Sequence, residues 1–308
     1  MEAVRAPADH AQAEIDFCRR SNLHAPLVNI ASARLRKKCL ITHETAKFLN
    51  VAWRAASTAG EILRTSWHQP RSIEHKGPID LVTSIDRAAE QSIAEVLQSE
   101  FPEHSILAEE ETEITGAAAE YRWIIDPLDG TTNFAHGYPQ VSVSIALECR
   151  GQIIVGLVYD PLRRECFRAV KGQGATLNGD SIGASSVGEL DKALLATGFP
   201  YDRRENADFY LNFFKAFLTR CQGIRRAGSA ALDLCYVASG RLDGFWELKL
   251  KPWDIAAGAL IVAEAGGSLS NFSGQKFSIL GNETLASNGS IHDEMLQVIR
   301  AAATARVD

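Results

Sequence analysis

The residues best suited to chemistry stand together in Trp123-Ile124-Ile125-Asp126-Pro127-Leu128-Asp129-Gly130-Thr131-Thr132-Asn133-Phe134. There an apolar run ends in two carboxylates three residues apart, followed by a glycine and two hydroxyls. The run reads as a buried strand, and Pro127, which cannot continue a central ladder, predicts a turn at Asp126. Two carboxylates on one turn can face one point, and hard oxygen donors suit Mg²⁺ or Ca²⁺. Gly130 lets the backbone approach a ligand, while Thr131 or Thr132 can cap a following helix whose free N–H groups attract phosphate. A divalent cation beside a phosphate cradle is the layout of a phosphoryl-group enzyme. Asp, Pro and Gly are also plain turn formers, so this segment alone does not separate a site from an acidic turn.

Four other places carry candidate residues, each with a structural explanation of its own. Glu109 ends the short apolar run Ser105-Ile106-Leu107-Ala108 and, with Glu110 and Glu111, can equally be a solvated loop acid. Asp86 lies three residues after Thr83, the spacing of a capping box. Asp254 follows Pro252-Trp253 and precedes an apolar helix, where an N-cap suffices. Gly228-Ser229-Ala230-Ala231 is a helix start that is either structural or faces an anion.

The elements that must position these residues follow from periodicity. Apolar residues at three- and four-residue steps predict helices from Thr42 to Trp67 and from Thr83 to Phe101, where Pro102 stops the second. Residues 141–147, 152–159 and 165–170 read as an antiparallel meander with turns at Arg150-Gly151 and Asp160-Pro161. Lys171-Gly172-Gln173-Gly174 reads as a plain strand connection, because it lacks the last glycine and the following helix of a dinucleotide fingerprint. Strands at 193–197 and 244–247 alternate with helices at 209–217, 229–240, 253–266 and 292–303. Such mixing indicates an α+β layered fold rather than a doubly wound parallel sheet. Residues 1–41 carry little apolar periodicity and read as a poorly ordered extension, leaving 42–308 as the domain.

Composition narrows the function. The formal net charge is −6, and no dense basic run is interleaved with aromatics, which argues against nucleic acid as a main partner. The six cysteines include no C-x-x-C pair, as expected of reduced thiols in a cytoplasmic protein, and the eight histidines include no zinc-type pair. No apolar stretch reaches the roughly 18 residues that span a bilayer, so no membrane partner is expected.

Taken together, the motifs resemble the inositol monophosphatase family, within the lithium-sensitive, magnesium-dependent phosphatases. Two signatures carry the resemblance, Trp123 to Phe134 as quoted above and Trp253-Asp254-Ile255-Ala256-Ala257-Gly258. Lys76-Gly77-Pro78-Ile79-Asp80-Leu81-Val82-Thr83-Ser84-Ile85-Asp86 and the Glu109-Glu110 pair also fit, in the expected order. The resemblance implies an α-β-α-β-α sandwich, usually a homodimer, with two to three Mg²⁺ ions per active site. Glu109, Asp126 and the Leu128 carbonyl would hold the first ion and Asp126, Asp129 and Asp254 the second, with Glu109 shared by a looser third. Thr131, hydrogen-bonded to Asp86, would orient the attacking water. The Gly130 and Thr131 N–H groups would hold phosphate, and Asp129, Ser229, Ala230 and Glu247 would contact sugar-like hydroxyls. Ala108 stands where the family has glycine, a mild departure.

Clustered carboxylates need cations to offset their repulsion, and two metals can clamp the attacking and leaving oxygens of an in-line displacement. Related branches that act on nucleotide 3′-phosphates or histidinol phosphate read D-G-T-K at the loop, and fructose-1,6-bisphosphatases read D-G-S-S-N. Thr131-Thr132-Asn133-Phe134 therefore favours inositol monophosphate as substrate, with fructose-1,6-bisphosphate or another sugar phosphate as the alternative. A partner role in RNA metabolism, as in some bacterial relatives, is the reading from a different class.

Overall fold

Along the strand Tyr121–Asp129, alternate side chains face opposite ways. Trp123 and Ile125 enter one apolar cluster and Ile124 another, as the two-residue repeat of a strand requires. Both faces are covered, which is why the sequence reads as an uninterrupted apolar run. A computed structural model of the chain describes residues 26–68, 73–75, 81–110, 112–117 and 120–304. The chain divides into two compact units, Met1–Glu44 and Thr45–Asp308. Of the first, the described part is the beginning of helix α1 (Pro26–Ser66).

Fifteen strands are defined among the described residues. β1 (Ile73–His75) and β2 (Leu81–Thr83) form an antiparallel pair. The larger sheet has the order β10-β9-β8-β7-β6-β5-β3-β4. It comprises β3 (Ser105–Ala108), β4 (Glu113–Ile114), β5 (Tyr121–Asp129), β6 (Ser142–Cys149), β7 (Gln152–Asp160), β8 (Glu165–Val170), β9 (Ala175–Leu177) and β10 (Asp180–Ile182). All its pairs are antiparallel except β3 with β5. The second sheet has the order β12-β11-β13-β15-β14, from β11 (Leu194–Thr197), β12 (Gly223–Arg225), β13 (Gly244–Leu248), β14 (Ser268–Ser270) and β15 (Glu283–Ser287). Here β11 runs parallel to β12 and β13.

Three apolar clusters define five layers. In the first, Phe48, Ala52, Ala59 and Leu63 of α1, with Ile93 and Leu97 of α2 (Ser84–Glu100), cover one face of the large sheet. In the second, α5 (Ala230–Ala238) and α6 (Pro252–Glu264) fill the space between the sheets. In the third, Phe213 and Phe217 of α4 (Ala207–Leu218) and Met295 and Ile299 of α7 (His292–Thr304) close the far face of the small sheet. The fold is the expected α+β layered sandwich. Two glycines permit the central packing. A Cβ on Gly156 of β7 would lie 2.7 Å from the Ala257 carbonyl oxygen, and one on Gly258 of α6 would lie 2.8 Å from Leu234 of α5.

Two expectations differ from the structure. The first helix begins at Pro26 rather than Thr42, because 26–41 is rich in Ala, Leu, Arg and Lys and holds no glycine to stop it. Residues 1–25, and with them part of the expected extension, lie outside the described residues, as does Lys76 to Asp80 of the quoted motif. Secondly, the strand does not end at Asp126. β5 continues to Asp129 through a register shift against β6 between those two residues, and this irregularity accommodates Pro127 within the strand.

Candidate active site

Helix α3 (Thr131–His136) follows β5 directly. Its N-cap is Gly130, left-handed at φ 98°, and no threonine caps it. The sharp turn takes the place of a side-chain cap, and a Cβ there would meet the Gln140 carbonyl oxygen at 2.8 Å. Asn133 holds the turn by donating from Nδ2 to the carbonyls of Gln140 at 2.8 Å and Ala227 at 2.9 Å. The start of α3 is thereby fastened to the segment that enters α5.

Around this turn lies a cavity of about 600 Å³ lined by Glu109, Asp126, Leu128, Asp129, Gly130, Thr131, Ser229, Ala230, Glu247 and Asp254. Every candidate residue named from the sequence lines it except Asp86. Asp86, in the first turn of α2 and 1% exposed, stands behind the wall and accepts a hydrogen bond from Thr131 Oγ1 at 3.0 Å. The same hydroxyl lies 3.1 Å from the Leu128 carbonyl oxygen. Asp86 is therefore tied to the site, beyond any role it has in starting its helix.

Each aspartate is fixed by the backbone. Asp126 Oδ1 accepts from the Leu128 N–H at 2.9 Å. Asp129 Oδ2 accepts from Ser229 Oγ at 2.6 Å and the Ala231 N–H at 2.8 Å, at the start of α5, whose N-cap is Ser229. Asp254 is not the N-cap of α6. Lys251 is, and Asp254 Oδ2 accepts the Lys251 N–H at 2.7 Å from the helix's first turn. Two helix N-termini thus meet the acids with the positive ends of their dipoles.

These contacts do not offset the crowding. Burial, then the charges of Glu109, Asp129 and Asp254, push the Asp126 carboxyl well above its ordinary range. Burial raises Asp129 to about 6, although Ser229 and the backbone of Ala231 and Ala230 pull the other way. Burial also lifts Asp254 to about 8 against the opposing Lys251 N–H. It lifts Glu247 of β13 to about 8, eased by Arg226 and reinforced by Asp129. Gly198 makes room for Glu247, since a Cβ there would lie 2.2 Å from its carboxylate oxygens.

Among the described residues, no group of three or more His, Cys, Asp or Glu side chains already stands as a metal-holding set. The donor chemistry nevertheless fits Mg²⁺. Glu109, Asp126, Asp129 and Asp254 in the cavity wall offer hard oxygen donors, and a cation there would offset both the burial and the neighbouring charges that raise the Asp126 carboxyl.

The cavity also holds residues that the motifs do not mark, including Asp233, Arg203, Arg226, Lys249 and Lys251. Asp233 is 2% exposed, and its Oδ1 has no hydrogen-bond partner. Helical geometry holds the signal for it, since Asp233 lies one turn after the N-cap Ser229 and so on the same side of α5. The others come from loops whose course periodicity does not reveal. Cys149, Cys166, Cys221 and Cys235 are free thiols, and no described helix is long and apolar enough to cross a membrane.

The inositol monophosphatase family model matches residues 44–304. The chain is 46% identical over 255 residues to the inositol-1-monophosphatase of Synechocystis, covering 82% of this chain and 89% of that one. It is 44% identical over 254 residues to the Nus factor SuhB of Escherichia coli, covering 82% and 95%. Among solved structures, an inositol monophosphatase from Anabaena aligns with a TM-score of 0.77 at 43% identity, covering 84% of this chain and 97% of that one. Motifs, fold and likeness agree, and the chain belongs to the inositol monophosphatase family.

Proposed function

We propose that this protein is a Mg²⁺-dependent phosphomonoesterase that releases phosphate from inositol monophosphate by direct attack of water. The observation that carries the reading is the meeting of Glu109, Asp126, Asp129 and Asp254, drawn from three places in the chain, in one cavity beside the Asp86–Thr131 hydrogen bond. Glu109, Asp126 and the Leu128 carbonyl would hold one Mg²⁺, and Asp126, Asp129 and Asp254 a second, with Glu109 shared by a third. Bound Mg²⁺ supplies the charge that offsets carboxylate repulsion and the Lewis acidity that activates water and stabilises the leaving oxygen.

The chain's own groups do the positioning. Thr131 Oγ1 directs its hydrogen to Asp86 or Leu128, so its lone pair can accept a hydrogen bond from a water and orient that water. The Gly130 and Thr131 N–H groups would hold the phosphate. At the far wall, Glu247, Ser229, Ala230 and Asp129 would take polyol hydroxyls. Ser229 Oγ already donates to Asp129, which sets the direction of both groups.

A phosphate-release screen over polyol, sugar and nucleotide phosphates with Mg²⁺ tests the reading, with inositol monophosphate expected to be turned over fastest. Faster release from fructose-1,6-bisphosphate would move the assignment to the sugar-phosphate alternative. A further role in RNA metabolism is supported by the 44% identity to a relative named as a Nus factor. A cytoplasmic homodimer, inhibited by lithium, completes the proposal.

A further inference from the structure

We propose that Glu90 is a positioning residue that holds the loop bearing Glu109 in the geometry needed for Mg²⁺. Glu90 lies on α2, four residues after Asp86, so the two acids occupy one side of the helix a turn apart. Both are buried, at 2% and 1% exposure. Asp86 receives the Thr131 hydroxyl from the first turn of α3, just after β5. Glu90 receives the loop after β3, its Oε2 accepting the Glu110 N–H at 2.8 Å and its Oε1 the Thr112 N–H at 2.8 Å.

β3 and β5 are parallel neighbours, so their loops leave the sheet on the same side. One helix turn therefore grips both the Glu109 loop and the start of α3, next to the end of β5 that carries Asp126 and Asp129. The loop after β3 is closed further by the Ala108 N–H donating to the Thr112 carbonyl at 3.1 Å. Glu109 sits inside this closure, between Ala108 and the first clamped amide. Hydrogen bonds from backbone N–H to a carboxylate are about twice as strong as neutral ones, and two on one side chain fix direction as well as distance. A ligand's direction is what a small cation demands, because Mg²⁺ tolerates little departure from octahedral geometry.

The inference rests on the Mg²⁺ site proposed above, and the experiment separates the two. Glu90→Gln keeps the size of the side chain but sets an NH₂ group against one of the two N–H donors. In the full chain, Mg²⁺ is titrated against melting temperature, and amide exchange is followed at residues 110 and 112. Exchange at these amides should quicken, and half-saturating Mg²⁺ should rise ~10-fold or more, the usual consequence of losing an outer-shell contact. Substrate KM at saturating Mg²⁺ should stay near the wild-type value. A folded Glu90→Gln protein with wild-type Mg²⁺ half-saturation overturns the proposal, even if it melts earlier, because Glu90 would then be structural only. Should Glu90→Gln not fold, Glu90→Asp, with the carboxyl kept and the reach shortened, is read against the same two outcomes. A wild-type protein that ignores Mg²⁺ overturns the metal site itself and this inference with it.

Discussion

If the acids of the cavity hold Mg²⁺, protons must compete with it. The Asp254 carboxyl is raised to about 8 and that of Asp129 to about 6, chiefly by burial. At pH 8 Asp254 is about half ionised, whereas at pH 6 only about one molecule in a hundred carries the charge. Freeing it there costs ~2.7 kcal/mol, or ~100-fold in apparent affinity. Asp254 is half-buried and opens onto the cavity, so water screens part of this, and half-saturating Mg²⁺ should rise ~10–100-fold from pH 8 to pH 6. Melting curves with graded Mg²⁺ at both values measure it. A hundredfold excess over Kd stabilises by ~2.7 kcal/mol, about 5–10 °C for a domain of this size. The EDTA-treated protein should behave in the opposite sense. Carboxyls whose folded pKa is raised favour folding below their unfolded value near 4, and that contribution is lost as pH rises through about 6 and about 8. Metal-free protein should therefore melt lower at pH 8 than at pH 6, while saturating Mg²⁺ should raise the melting temperature most at pH 8. A Mg²⁺ half-saturation that is flat between pH 6 and pH 8 would refute the assignment of Asp254 and Asp129 as ligands.

Asp126→Asn should lower kcat ~1000-fold, ~4 kcal/mol in barrier, with the fold intact by circular dichroism; near-wild-type rates at saturating Mg²⁺ would count against a shared ligand there. Gly156→Ala should destabilise by ~1–3 kcal/mol, because the new Cβ falls 2.7 Å from the Ala257 carbonyl and α6 must shift; an unchanged denaturation midpoint would show that the layers yield easily. A chain starting near Leu40 should keep its melting temperature and phosphatase rate, since the family match begins at residue 44 and every candidate ligand follows it. Loss of Mg²⁺-dependent activity in that truncation would make residues before Leu40 part of the working domain.

Much of the site is legible in the sequence because its residues sit where elements begin or end. Asp126 and Asp129 close β5, Glu109 follows β3, and Asp254 lies in the first turn of α6. Each border has a local signature in turn formers or apolar periodicity. The long strands β6, β7 and β8 fall near their expected bounds for the same reason. Short strands such as β9, β10 and β12 are three residues long, too brief for a period to show. Pro127 misleads because a bulge can absorb it, and a bulge is visible only against the partner strand. The capping readings of Asp86 and Asp254 are local explanations that omit what the tertiary fold adds, the Thr131 hydroxyl at Asp86 and a place in the cavity wall for Asp254. Asp233 and Glu90 escape for a different reason. Their four-residue spacing from Ser229 and Asp86 places them on the right side of a helix, but what they face there, a cavity or another loop's backbone, is set only by the tertiary fold.

Helix α6 is buried from Ile255 to Val262 without a break. A helix with no wet side gains nothing from solvent and has little reason to persist before both sheets exist to enclose it. Its first turn carries Asp254, whose fellow candidate ligands lie 125 to 145 positions earlier in the chain. Contacts so distant in sequence close late in folding, after the loop entropy between them has been spent. The proposed metal-binding set would thus be completed in the same event that seals the molecule's centre. A misfolded or half-folded chain would retain its acids but no place where they meet, so Mg²⁺ affinity reports on completed folding as directly as on chemistry.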